Sequence, residues 1–144
     1  MATTATLTLA SADIAGDPVT VSKTATLTKA GSTNGLDQSS GLNRVHLRSA
    51  TQKVLLAANA EGNDLAAKVY IINKSTDASL YISVAINSQS TGKLYGGDFM
   101  FIPWSQTDVS NDIKVAATNW TSSTGDIPVE YALFHEDTDF LTNA

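Results

Sequence analysis

The chain has 144 residues, a net charge of −5 and no cysteine. A single domain of this length buries roughly two thirds of its unfolded surface, and without thiols it carries neither disulfides nor thiolate chemistry. Charged residues make up 16 %, below the ~25 % of ordinary domains. The cations are scattered singly, whereas phosphate binding needs them clustered, so nucleic acid is not an expected partner.

No apolar run approaches the ~18 residues of a membrane span, and Met1 is followed by ATTATLTLAS, with no basic or apolar leader region. The expectation is a protein made in a cytoplasm, with no membrane partner. Eighteen Thr and fifteen Ser take the polar positions that charges usually fill. Threonine suits a pleated, half-exposed surface. Hydroxyl solvation with few charges points to an all-β structural or adhesive protein whose copies repel one another weakly.

In chain order, the first forty residues contain no aromatic side chain. Thr4–Ala10 (TATLTLA) and Thr24–Ala30 (TATLTKA) nearly repeat. Apolar residues fall at odd positions, Ala5, Leu7 and Leu9, then Val19, Val21, Ala25 and Leu27, the period-2 signature of a strand. Ser11–Pro18 is a turn-rich connector. Residues 1–40 therefore form either a hairpin or an extended arm on another subunit, and 41–144 the main domain. Leu7, Leu9, Val19, Val21 and Leu27 are the candidate interface residues of that arm.

Gly31–Gly41 reads as a loop, with Asn34-Gly35 favouring positive φ. Asn43–Arg48 alternates Val45 and Leu47 with polar partners. Alanine and leucine spacing predicts a short helix around 52–60. Lys68–Asn73 (KVYIIN) is a β-branched strand, and Leu80–Asn87 is the next. Ser88–Gly92 reads as a turn. Asp112–Thr118 and Ile127–Glu136 complete the strands, with Pro128 near a strand start, where proline is tolerated. Strands spaced at 8–15 residues with turns between them predict an all-β antiparallel β-sandwich, jelly-roll-like, with an extended N-terminal arm or hairpin.

The segment Gly92–Ser105 (GKLYGGDFMFIPWS) is the most distinctive. Gly96 and Gly97 predict a turn or bulge. Phe99–Ile102 is an unbroken apolar run, so both faces of this strand are expected to meet apolar surface. It is read as a central core strand whose end, Pro103-Trp104, lies near a subunit contact.

Catalytic signatures are sparse. There is no G-x-S-x-G elbow and no phosphate-binding glycine loop before a helix. His46 sits on the polar face of its strand. His135-Glu136-Asp137 with Asp139 reads as a solvated strand end rather than a metal site. Asp108, Ser110 and Asp112 have calcium-loop spacing, but Ile113 stands where glycine is required and Asn119 where glutamate is. Only three glutamates exist, Glu61, Glu130 and Glu136, in contexts that suggest no cleft for paired carboxylates. No enzyme activity, cofactor or metal is expected. An alternative from the binding class is a carbohydrate-binding host-adhesion sandwich, with Trp120 in its Ser/Thr-rich loop as the glycan contact.

Four stretches, Lys68–Asn73 (KVYIIN), Gly92–Trp104 (GKLYGGDFMFIPW), Asp112–Val115 (DIKV) and Val129–Phe134 (VEYALF), resemble small β-sandwich virion proteins of tailed bacteriophages, especially marine and cyanobacterial phages. The resemblance covers about half the chain, residues 65–136. It implies a capsid decoration (cement) protein on the capsid exterior, or else a tail or neck adaptor. The implied partners are the major capsid protein and copies of the chain itself, as a homotrimer.

Overall fold

The computed structural model describes residues 3–14, 17–28, 36, 38–58, 66–105 and 109–135. These residues form eleven strands and one 3₁₀ turn, Val109–Asn111, with no α-helix among them. All the sheets are antiparallel. The fold is all-β and sandwich-like, as the turn spacing predicts.

The alternating N-terminal runs do pair with each other. Strand β1 (Thr4–Ile14) runs against β2 (Asp17–Thr26), with Thr4 opposite Thr26 and Ser11 opposite Val19. Because side chains alternate across a strand, this register gives the hairpin two chemically distinct faces. One carries the pairs Ala5/Ala25, Leu7/Lys23, Leu9/Val21 and Ser11/Val19. The other carries Thr4/Thr26, Thr6/Thr24, Thr8/Ser22 and Ala10/Thr20, with a hydroxyl–hydroxyl bond of 2.9 Å between Thr6 and Thr24.

The main domain has two sheets. In the first, β5 (Lys53–Leu56), β10 (Ile113–Ala116), β7 (Tyr81–Ile86) and β8 (Gln89–Tyr95) lie side by side in that order. In the second, β11 (Ile127–His135) is flanked by β6 (Ala66–Asn73), which pairs in turn with β9 (Phe99–Ser105). Along the other side of β11 lie two short strands. β4 (Asn43–Leu47) pairs with Ile127–Tyr131, and β3 (Gln38–Ser39) with Phe134–His135. Ser40 bridges the gap between them, since its N–H donates to Leu133 O and its Oγ accepts from Leu133 N, both at 2.9 Å.

The core lies between the sheets. Ile82, Val84, Ile113 and Val115 from the first meet Val69, Ile71, Ile127 and Val129 from the second. Each is at most 1 % exposed, so the period-2 pattern of these strands is spent on burial, the main favourable term in folding. One polar side chain, Asn73, is buried with them. Its Nδ2 donates to Leu80 O (3.0 Å) and Leu94 O (2.9 Å), and its Oδ1 accepts from Ser75 N (2.9 Å). The amide thus ties β6 of the second sheet to the start of β7 and the end of β8 in the first.

The chain crosses between sheets at Tyr95–Asp98. Asp98 N–H donates to Tyr95 O at 2.8 Å, and Asp98 Oδ2 accepts from Tyr95 N at 3.0 Å. Gly97 has φ +92°, and a Cβ on Gly96 would lie 2.3 Å from Asp77 O. Both glycines are therefore required, one for its backbone angle and one for close approach, as the predicted turn demands.

Three expectations are corrected. The helix around 52–60 is absent, because Lys53–Leu56 is strand β5, paired with β10; 59–60 lie outside the described residues. Ser88–Gly92 is not a turn. The turn is Asn87–Ser88, both with positive φ, and Gln89–Gly92 belongs to β8. Finally, β9 is not central but, among the described residues, forms the edge of its sheet. Pro103 fits that position, since a strand proline lacks the N–H that a second neighbour would need.

Candidate functional site

On β9, Met100, Ile102 and Trp104 turn toward the core, while Phe99 and Phe101 are 56 % and 39 % exposed. The unbroken apolar run thus does serve two faces, but the outer one is not enclosed. Tyr70 on β6 stands beside them, its ring centroid 6.3 Å from that of Phe99. The base of the hairpin lies across from these rings. Ala5, Leu7, Lys23 and Ala25 on one side and Tyr70, Phe99 and Phe101 on the other wall a groove of about 460 Å³.

The hairpin is tied to the chain at its base. Leu27 N donates to Thr3 O at 2.8 Å, Leu36 N to Leu27 O at 2.8 Å, and Thr3 N to Leu36 O at 3.4 Å. Leu27 and Leu36 are buried there. Leu7 at the base and Leu9, Val19 and Val21 beyond it are 39–50 % exposed. The structure therefore brings four of the expected interface residues onto one continuous surface and adds Tyr70, Phe99 and Phe101 to it.

The other expected site residues lie elsewhere. Leu27 is part of the anchor, not of the exposed strip. Pro103 is exposed on the edge strand. Trp104 is 4 % exposed, packed in the core, with its Nε1 donating to Asn111 O at 2.8 Å. Inward alternation on β9 places it there, so its side chain offers no contact surface. Trp120 packs against the core, and its Nε1 is buried with no acceptor among the described residues. The residue as a whole is half-buried. On the first sheet the exposed Tyr95 leans on the half-buried Tyr81, with centroids 5.2 Å apart and planes tilted by 51°. Lys93 Nζ already sits 4.5 Å over the Tyr81 ring.

The candidates for chemistry are dispersed. His46 lies opposite Pro128, and His135 is seven residues further along β11, a separation of about 24 Å at ~3.4 Å per residue. Asp112 Oδ1 accepts from Ala58 N at 2.8 Å. Asn111 holds the same loop, its Nδ2 donating to Ser105 O at 3.2 Å. Asp108, Glu61, Glu136, Asp137 and Asp139 lie outside the described residues. Among the described residues, no three His, Asp or Glu side chains are grouped to hold a metal.

Two carboxylates are perturbed, both for structural reasons. Arg44 on β4 hydrogen-bonds Glu130 on β11. That bond holds the Glu130 carboxyl below its ordinary value, against the opposing effect of burial. The Asp77 carboxyl is lowered by hydrogen bonds from the hydroxyl and the backbone N–H of Ser79. What the described residues present is a strip of exposed apolar side chains beside the edge strand β9.

No protein-family model, curated protein or solved structure matches this chain.

Proposed function

We propose that this chain is a non-enzymatic structural protein of a tailed bacteriophage particle, a decoration protein that docks on the outside of the capsid and stabilises it. The observation that carries this reading is the exposed apolar strip of the hairpin beside the outward-facing Phe99 and Phe101 on an open sheet edge. Soluble monomers rarely leave a contiguous patch of this kind uncovered, and such patches mark protein–protein contacts. Strand edges beside it can add main-chain hydrogen bonds to an assembly. The segments that resemble phage virion proteins fall on β6, on β8 and β9, on β10 and on β11, the strands that build the sandwich and one wall of the groove. Among the described residues, the scatter of His and acidic side chains gives no support to an enzyme.

The test is genetic and physical. Particles assembled without this chain should lose resistance to heat or osmotic shock and regain it when the purified protein is added. Copy numbers on the order of hundreds per particle identify a shell component, about a dozen a neck or tail component. Particles that neither contain the protein nor bind it would overturn the reading.

A further inference from the structure

We propose that the occupant of the exposed strip is a second copy of this chain, the apolar face of one hairpin covering the apolar face and groove of another. The inference rests on and deepens the structural reading above by naming the partner.

Area is the first argument. Leu7, Leu9, Val19, Val21, Phe99 and Phe101, at 39–56 % exposure, leave on the order of 500 Å² of apolar surface in solvent, the upper range for a monomer's largest patch. Two such surfaces in contact exclude about 1,000 Å², the lower bound for a biological interface and the size of a weak, reversible one.

Charge is the second. Between Thr4 and Thr26 the sequence has only three charged residues, Asp13, Asp17 and Lys23; Lys23 pairs with Leu7 near the base and Asp17 with Ile14 at the far end. A charged partner would find almost nothing to complement. A lipid surface would call for basic residues ringing the apolar face. A second copy meets Leu and Val with Leu and Val, and has no row of like charges to oppose.

Hairpin architecture is the third argument. The strip is the outer half of a twisted two-strand ribbon, and such a ribbon is marginal in water unless its apolar face is covered. The chain's own sheet meets only the base of that face, at Ala5, Leu7, Lys23 and Ala25. Leu9, Val19 and Val21 lie further along the hairpin, where none of the described residues encloses them.

The test is sedimentation equilibrium of the full chain at rising concentration. The wild type is expected to self-associate in the micromolar range. Leu9→Thr/Val21→Thr keeps β-branched or β-compatible side chains and touches no core residue; it should raise the dissociation constant about 100-fold. Phe99→Thr/Phe101→Thr, on the opposite wall, should do the same. Thr8→Lys/Thr20→Lys, on the hydroxyl face, should leave association unchanged. Near-ultraviolet circular dichroism matching the wild type shows that each variant is folded. A wild type that stays monomeric to about 100 μM, or a Leu9→Thr/Val21→Thr protein that associates as the wild type does, overturns the inference. Capsid binding is scored separately. Self-association without capsid binding refutes the decoration reading and leaves this inference standing, and capsid binding by a strictly monomeric protein does the reverse.

Discussion

Replacing Asn73 with leucine tests how the two sheets are joined. The side chains are close in size, so packing changes little, but three hydrogen bonds vanish, those with Leu80 O, Leu94 O and Ser75 N. Asn73 is fully buried, so water cannot replace them. A buried group stripped of its partner costs about 1–3 kcal/mol. With part of that recovered by the added apolar contact, the expected loss is about 3–5 kcal/mol, a large share of a typical 5–15 kcal/mol total. Urea unfolding followed by tryptophan fluorescence reads this directly, because Trp104 is buried in the same core. With a slope near 2 kcal/mol/M, the midpoint should fall by about 2 M at unchanged slope. Asn73→Asp separates the donor from the acceptor role. It keeps the oxygen that Ser75 N meets but turns an anion on two carbonyl oxygens, and should be worse than leucine. A loss under about 1 kcal/mol for Asn73→Leu would refute the idea that this amide couples the sheets.

Three further outcomes follow from local geometry. Gly96→Ala places a methyl 2.3 Å from Asp77 O and 2.8 Å from Ser75 O, both backbone atoms, so thermal unfolding should show a loss of at least about 2 kcal/mol. Ser88→Gly should stabilise the protein by about 0.5–1 kcal/mol and raise Tm by about 2–5 °C, because Asn87 and Ser88 have φ values of 51° and 59° and glycine is favoured second in such a hairpin turn. The Arg44–Glu130 pair should give an acid-side pH dependence. The folded carboxyl titrates below its ordinary 4.5, so the stabilisation is complete above that value and is lost as pH falls through the lower folded pKa. Glu130→Gln should therefore match the wild type at low pH and fall behind it above about pH 5, and a difference that is constant with pH would contradict the assignment.

Period-2 alternation carried much of the fold. It is legible in Leu7, Leu9, Val19 and Val21, in KVYIIN and in IPVEYALFH, where each strand has one face committed to apolar contact. It failed where burial was partial. β8 reads as polar because only Leu94 of its seven residues is buried, an edge strand that the core does not discipline. β5 has helix-like alanine and leucine spacing, but pairing with β10 overrides that preference. The run Phe99–Ile102 signals two apolar faces correctly, yet composition cannot distinguish a buried outer face from an exposed one. That ambiguity made an edge strand look central and Trp104 look like a contact. Leu27 keeps the phase of the hairpin's apolar face, but β2 ends at Thr26, and the chain turns its leucine inward. Asn73 and Leu36 could not have been found, since their roles arise only from distant residues brought together.

The clasp of Thr3, Leu27 and Leu36 acts as the fulcrum of a lever. Strand β1 extends eleven residues from it, about 35 Å at ~3.3 Å per residue. A tilt of about 5° at the fulcrum moves the far end by about 3 Å, close to one residue's rise along a strand. The reach and aim of the strip are thus set by two leucines that form no part of it. Trimming either one would spoil the alignment of the strip while leaving every one of its side chains intact.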